Sequence, residues 1–371
     1  MNFQLTDDQR MLAETLEKFL RDNYPLDKRH AIAASEEGFS REMWAQFAEL
    51  GVIGALFDER AGGFGGSGTD LMVVFEALGR ALVVEPFLPT LVAGSLIAEC
   101  GDDAQRAILE EIIAGETWVA FAHGEPDSRY ELEQVSTRAE KAGSGWKVTG
   151  NKSVVLGGAA AGLLVVSART SGETASPHGI SLFLVDAKAA GVSMRSYGTV
   201  DGYPAAEIAL DGAEGELLGG QDAAFDAIEA AVARGILALG AEALGAMEVA
   251  KDQTVEYMHT RKQFGIIIGK FQALQHRMAD VLIELEQMRS ALINAAAHLD
   301  GPRDTRERHA AAAKHLVGRI GRLVAEEAIQ IHGGMGMTWE YPVGHYAKRI
   351  TMIDHIFGDA DHHLERYIAL G

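Results

Sequence analysis

The sequence predicts an α+β multidomain chain. It would have an N-terminal α-helical domain over residues 1–117, a middle antiparallel β-domain over 118–215 and a C-terminal four-helix-bundle-like domain over 216–371. Three observations predict it. Apolar residues recur at helical spacing toward both ends of the chain, while the centre breaks into short Val, Leu and Ile runs separated by turn residues. The helical pattern that returns after Leu217-Leu218-Gly219 is long enough to bury its apolar stripe only against other helices. At 371 residues the chain exceeds one ordinary core. Its 47% hydrophobic content, with eight prolines and 7% aromatics, suits a helix-rich globular protein.

Each element follows in order. Thr6 reads as an N-cap with Gln9 three residues on, a capping box ahead of Leu12, Leu16, Phe19 and Leu20 at helical spacing. Further helical patterns cover residues 41–50, 69–84, 88–100 and 103–114. Between the first two lies Gly62-Gly63-Phe64-Gly65-Gly66-Ser67-Gly68, expected as a flexible surface connection, with substrate or cofactor access as its functional alternative. In the middle domain strands are expected over 135–139, 146–148, 162–168, 180–185 and 207–210. Gly143-Ser144-Gly145 is read as a hairpin turn and Gly150-Asn151 as another turn. Long amphipathic helices are expected over 222–258, 271–299 and 306–331.

Charge and cysteine content exclude several classes. The balance of 33 basic and 53 acidic residues gives −20, which argues against nucleic acid but allows a small anionic ligand held by local Arg and backbone amides. The single Cys100, beside Leu96, Ile97 and Ala98, excludes an internal disulfide and reads as a small buried residue, not a nucleophile. No uninterrupted apolar run approaches a bilayer span, and Met1-Asn2-Phe3-Gln4-Leu5 lacks the regions of a signal peptide; a cytoplasmic protein without a membrane partner is expected. His362-His363 with Asp359 and Asp361 imitates a metal site, but four polar groups on one short segment cannot face one ion, so a solvated turn and no metal are expected.

Two motifs carry the chemistry. Ile331-His332-Gly333-Gly334-Met335-Gly336 sets three glycines in four positions after a long helix, as a plain C-cap or as bare amides open to a phosphate. About seventy residues upstream stands Arg261-Lys262-Gln263-Phe264-Gly265, whose Arg is a fork of donors matched to phosphate oxygens.

Tyr257-Met258-His259-Thr260 leading into that second motif, then Phe271-Gln272-Ala273-Leu274-Gln275, resembles one signature of the acyl-CoA dehydrogenase family. Ala328-Ile329-Gln330 through Gly336, then Glu340-Tyr341-Pro342-Val343, resembles the other. The resemblance spans essentially the whole chain and implies the family's fold. It implies that Arg261, Gln263, Phe264, Gln330, Gly333 and Gly334 grip the adenosine diphosphate half of an FAD bound mainly by a neighbouring subunit. It implies an acyl-CoA substrate, with proton removal from Cα by a carboxylate base and hydride transfer from Cβ to the flavin.

The base positions depart from that pattern. Aligning His355-Ile356-Phe357-Gly358-Asp359 on Gly358 puts Phe357 where the main branch holds its glutamate, and the alternative position, one residue before Arg234, is Ala233. Neither side chain can abstract a proton, so no catalytic base is assigned. Asp354 and Asp359 flank the first position and are expected to be solvated or capping residues. Arg234 is a candidate substrate contact or structural ion pair, and Met335 and Met337 are expected to fill gaps at an interface. The family's flavin-facing loop aligns with Ala120-Phe121-Ala122-His123-Gly124-Glu125-Pro126-Asp127-Ser128, and its tryptophan-bearing strand with Ser153-Val154-Val155-Leu156-Gly157-Gly158, which lacks the indole.

The tail from Lys348 to His363 resembles small, base-lacking subunits of heteromeric bacterial members of the family, including the pimeloyl-CoA dehydrogenase small subunit and steroid side-chain types. The resemblance implies a larger acyl-CoA dehydrogenase subunit as partner, a dimer-of-dimers tetramer and an electron-transferring flavoprotein as acceptor. A second reading, from a different class, is a non-catalytic interaction protein that kept the fold and lost its cofactor.

Overall fold

The computed structural model describes residues 5–143 and 145–371. The readings of Met1 to Gln4 and of Ser144 in the expected hairpin turn lie outside the described residues. The chain divides into two units, one of Met1–Arg29, Gly68–Val83 and Ile236–Gly371, the other of His30–Ser67 and Val84–Gly235.

Helices α1 (Asp7–Asn23), α2 (Leu26–Ala33), α3 (Arg41–Glu49), α4 (Gly68–Ala81), α5 (Phe87–Cys100), α6 (Asp103–Arg106) and α7 (Ile108–Ile113) precede the strands. The first capping box forms as expected, with Gln9 N–H donating to Thr6 Oγ1 at 3.2 Å and Thr6 N–H to Gln9 Oε1 at 3.1 Å. The helix expected over 103–114 is two, because a second capping box at Asp102 and Gln105 starts a single turn and the chain re-enters helix at Ile108. The glycine-rich stretch is not a flexible connection. The amides of Gly63, Phe64, Gly65 and Gly66 donate to the carbonyls of Asp58, Gly54, Phe57 and Ala55 at 2.9, 3.2, 2.9 and 2.9 Å.

Strands β1 (Val119–Ala122), β2 (Arg138–Ala142), β3 (Gly145–Leu156), β4 (Leu163–Arg169), β5 (Ile180–Asp186), β6 (Val192–Gly198) and β7 (Pro204–Leu218) form one sheet. Its order is β1-β4-β2-β3-β7-β5, with β4 also pairing β5 and β6 pairing β7. Only β1 and β2 against β4 are parallel. Buried β4 and β5 are nearly continuous apolar runs, while β3 and β7 alternate between buried and exposed residues. Gly150 does not turn the chain. It lies inside β3, where the register with β7 shifts between Val148 and Gly150, so the Gly-Asn pair marks an irregularity in a long strand.

The other unit is built on α8 (Phe225–Thr260), whose first residues belong to the sheet-bearing unit. A small hairpin of β8 (Lys262–Gln263) and β9 (Ile266–Ile267) follows, then α9 (Gln272–Ala297), α10 (Arg303–His332), α11 (Val343–His355) and α12 (Ala360–Ala369). Helix α10 packs against α9, α11 and α12 through a stripe that includes Ala310, Ala313, Val317, Gly321, Val324 and Ala328. Backbone meets backbone where α4 crosses α8. A Cβ added at Gly79 would lie 2.0 Å from the Glu242 carbonyl oxygen, and one at Gly245 2.0 Å from that of Glu76. Beside this crossing Arg349 grips the buried Glu242 carboxylate in a two-pronged pair at 2.6 and 2.8 Å. Helix α8 is long and apolar enough by composition to cross a membrane, contrary to the sequence reading that no run came close. Its most apolar window is 89% buried in the protein, which accounts for that composition.

Candidate functional site

Two sequence motifs meet at one end of the helical unit. Helix α8 ends in the β8–β9 hairpin, whose two-residue loop, Phe264-Gly265, has φ of 55° and 81°. Both residues are left-handed, as a primed two-residue turn requires, and the position that Asn usually fills holds a phenyl ring 92% exposed. Arg261 and Gln263 are exposed beside it. The Arg261 main chain is fixed, its N–H donating to the Tyr257 carbonyl at 2.8 Å, but among the described residues its guanidinium has no hydrogen-bond or ion-pair partner.

Helix α10 ends at His332, with exposed Gln330 in its last turn. Gly333 has φ of 60° and its N–H donates to the Ile329 carbonyl, so at this residue the expected open amide is spent on capping. A Cβ added at Gly333 or Gly334 would meet nothing within 4 Å, whereas one at Gly336 would lie 3.0 Å from the His332 Cβ. The first two glycines therefore face open space, and the third lets the turn fold back on its helix. The Tyr257 ring lies 4.4 Å from the His332 ring, and Tyr341 packs on both at 6.2 and 4.9 Å. Through these rings the ends of α8 and α10 share one aromatic cluster, which sets Arg261 and Gly333-Gly334 on the same end of the bundle.

The turn between α11 and α12 carries Phe357 at φ 59° and Gly358 at φ 108°. Carbonyls of this turn and of the last turn of α11 are clamped by buried donors. The fully buried Lys314 ammonium donates to Asp354 O at 2.7 Å and Gly358 O at 2.5 Å, and His363 Nε2 donates to Phe357 O at 2.8 Å. Burial pushes Lys314 down to about 8 and His363 down to about 3. His363 is thus buried in α12, not on a solvated turn. Asp359 caps α12 through the His362 N–H at 2.9 Å, and Asp354 accepts the Ala360 N–H at 3.1 Å.

In the sheet-bearing unit the side chains of His123, Glu125 and Ser128 turn inward, while Asp127 is exposed. The Glu125 carboxylate accepts from Ser136 N at 2.6 Å, Thr137 N at 3.0 Å and Lys152 Nζ at 2.8 Å. Burial works to raise the Glu125 carboxyl, but the Lys152 ammonium and these donors bring it below the ordinary range. Lys152 also donates to His123 O and to Ser167 Oγ, each at 3.1 Å, and burial pushes it down to about 8. His123 stacks on Phe121, meets Ser167 Oγ through Nδ1 at 2.8 Å and is pushed down to about 3 by burial. Ser128 Oγ bonds back to the Glu125 main chain at 2.9 and 3.0 Å. Val154 is exposed with φ of 51°, a strained value for a branched side chain. Ala233 is buried, and Arg234 donates to the Gly66 carbonyl in the glycine-rich loop. Cys100 is half-buried and burial pushes its thiol up to about 11, far from a nucleophile.

Three family profiles match the chain in sequence: the acyl-CoA dehydrogenase N-terminal domain over 6–116, its middle domain over 120–213 and its C-terminal domain over 225–368. The chain belongs to the acyl-CoA dehydrogenase family. It is 27% identical to the long-chain specific acyl-CoA dehydrogenase of Sus scrofa mitochondria, over 98% of this chain and 86% of the relative. Among solved structures it is similar to the steroid ACAD Tcur3481–Tcur3483 at 32% identity and TM-score 0.89, covering 98% of this chain and 97% of that one. The ChsE4–ChsE5 complex from Mycobacterium tuberculosis is similar at 25% identity and TM-score 0.89, covering 100% and 98%.

Within this member of the family the residues singled out by sequence fall into separate groups. Arg261, Gln263, Phe264, Gln330, Gly333 and Gly334 share one end of the bundle, Phe357 sits on the clamped turn of the same unit, and Ala233 and Arg234 belong to the other unit. Sequence reasoning missed Lys314, His363 and the Glu125–Lys152 pair as organisers. Lys314 had a signal, since it is a lone charge on an apolar helical stripe between Ala310 and Val317. The Glu125–Lys152 pair, separated by 27 residues, had none.

Proposed function

We propose that this chain is a base-lacking subunit of a heteromeric, FAD-dependent acyl-CoA dehydrogenase, and that it completes the flavin site of a larger dehydrogenase subunit. One observation carries the reading: among the described residues an unpartnered Arg261 guanidinium stands at the same bundle end as Phe264 and the open Gly333-Gly334 turn. In sequence the family's base position aligns with Phe357, whose ring cannot take a proton. Arg261 would grip a diphosphate as a fork of donors, Gln263 and Gln330 would add amide groups, and the two glycines would let a phosphate approach without a Cβ in its way. Phe264 would wall the dinucleotide. When bound, FAD supplies the hydride acceptor for α,β-desaturation of the thioester. The inward-turned groups of Glu125, His123 and Ser128, with no indole in the aligned stretch from Ser153 to Gly158, leave this chain little to offer a flavin ring of its own. Proton abstraction then falls to a carboxylate of the larger subunit. A dimer-of-dimers tetramer, an electron-transferring flavoprotein as acceptor and a cytoplasmic location belong to the same proposal.

The test is co-expression with a larger dehydrogenase encoded beside this chain. A yellow complex that oxidises an acyl-CoA supports the reading. An isolated chain that binds one flavin and turns over acyl-CoA unaided contradicts it. A colourless complex favours the second reading, a non-catalytic interaction protein, for which the spent Gly333 amide speaks.

A further inference from the structure

His332 is 3% exposed and sits where the two motifs join. Its Nδ1 lies 2.7 Å from the Ala328 carbonyl, an atom that only accepts, so Nδ1 carries the proton. Nε2 is left as a lone pair, and the Tyr341 hydroxyl, 3.2 Å away, donates to it. The imidazole is therefore one neutral tautomer held from both sides, and burial keeps it below its ordinary pKa. One face of the ring meets Tyr257 at 4.4 Å with a tilt of 31°, and the Tyr257 carbonyl receives the Arg261 N–H. In the other direction His332 leads directly into left-handed Gly333, and the turn closes on its Cβ at Gly336.

We propose that His332 is a positioning residue for diphosphate binding: it fixes the exit of α8 toward Arg261 through the Tyr257 ring and the Gly333-Gly334 turn through its own main chain, so that the two move as one body. The inference rests on the reading of Arg261 and Gly333-Gly334 as the diphosphate grip. A leucine of similar bulk would fill the space, but would neither lock the ring orientation nor answer the Tyr341 hydroxyl.

The experiment uses the full chain co-expressed with the larger dehydrogenase subunit and compares wild type, His332→Leu, His332→Gln and Tyr341→Phe. Hydrogen exchange of the segments 258–266 and 333–338 is read beside FAD affinity and melting temperature. His332→Leu should speed exchange in both segments together and weaken FAD binding roughly tenfold, with the melting temperature nearly unchanged. His332→Gln, which keeps an acceptor for Tyr341, should recover part of the loss, and Tyr341→Phe should show the same changes more weakly. Should the leucine variant fail to fold, Tyr341→Phe carries the test. Exchange that rises in one segment alone, or in neither, overturns the inference. A wild-type complex without flavin would sink the functional reading instead, and joint loosening of the two segments would still uphold the coupling.

Discussion

The ammonium of Lys314 donates to the main-chain carbonyl of Gly358 at 2.5 Å, with no part of the side chain exposed to solvent. A second bond to Asp354 O and the His363 bond to Phe357 O complete a clamp on the turn between α11 and α12 that carries Phe357. Left-handed backbone at a bulky residue persists only where its surroundings over-determine it, and these three bonds do so for Phe357. Lys314→Met keeps the bulk and leaves two buried carbonyls without a donor. It should lower stability by about 2 kcal/mol, read as a lower urea midpoint at unchanged slope. A rise in stability would mean that the buried ammonium costs more than its bonds return.

Phe264 offers a separable test of stability and binding. Its φ of 55° suits Asn or Gly, so Phe264→Asn should leave the hairpin as stable or stabilise it by about 1 kcal/mol. The same change removes an exposed apolar wall and should weaken flavin retention by the complex. If melting temperature falls and flavin retention holds, the ring serves the hairpin and not the dinucleotide.

Acid should destabilise the chain well before its carboxylates titrate. Burial pushes His123 and His363 down to about 3, whereas an unfolded histidine titrates at 6.5. Between those values the unfolded chain takes up protons that the native one refuses, so stability is whole above 6.5 and falls as pH drops through the window. Once pH is well below 6.5, each histidine adds about 1.4 kcal/mol per pH unit to the slope. Urea midpoints followed down from neutrality should show the decline, and His363→Asn should flatten it. A level profile down to the carboxylate range would contradict the buried, neutral assignment of both rings.

The periodic helices were legible because their apolar stripes repeat over many turns, as in α10, and the capping box at Thr6 and Gln9 was legible because both partners lie within one turn. Strand β1 was not, being four residues long, and β6 was not, since its residues are mostly exposed and carry no apolar run. Gly150 misled because a glycine that bends a strand looks in sequence like one that ends it. The two motifs stand out by residue type alone, since Arg and Gly at helix ends suit a phosphate. What holds them does not. The Tyr257–His332 contact joins residues on different helices, and the buried Arg169 guanidinium organises its loops by donating to the carbonyls of Val135, His178, Glu133, Thr174 and Ser176. Main-chain acceptors leave no trace in a pattern of side chains.

The central claim, that this chain lends a diphosphate grip to a flavin held mainly by another subunit, is tested most directly by Arg261→Ala in this chain alone, paired with an unaltered partner. Arg261 is exposed and its guanidinium has no partner among the described residues, so folding and assembly should be unchanged. The purified complex should hold its flavin at least tenfold more weakly, the loss of a charge-assisted bond of about 1.5–3 kcal/mol. Full flavin content and unaltered affinity in that complex would contradict the account.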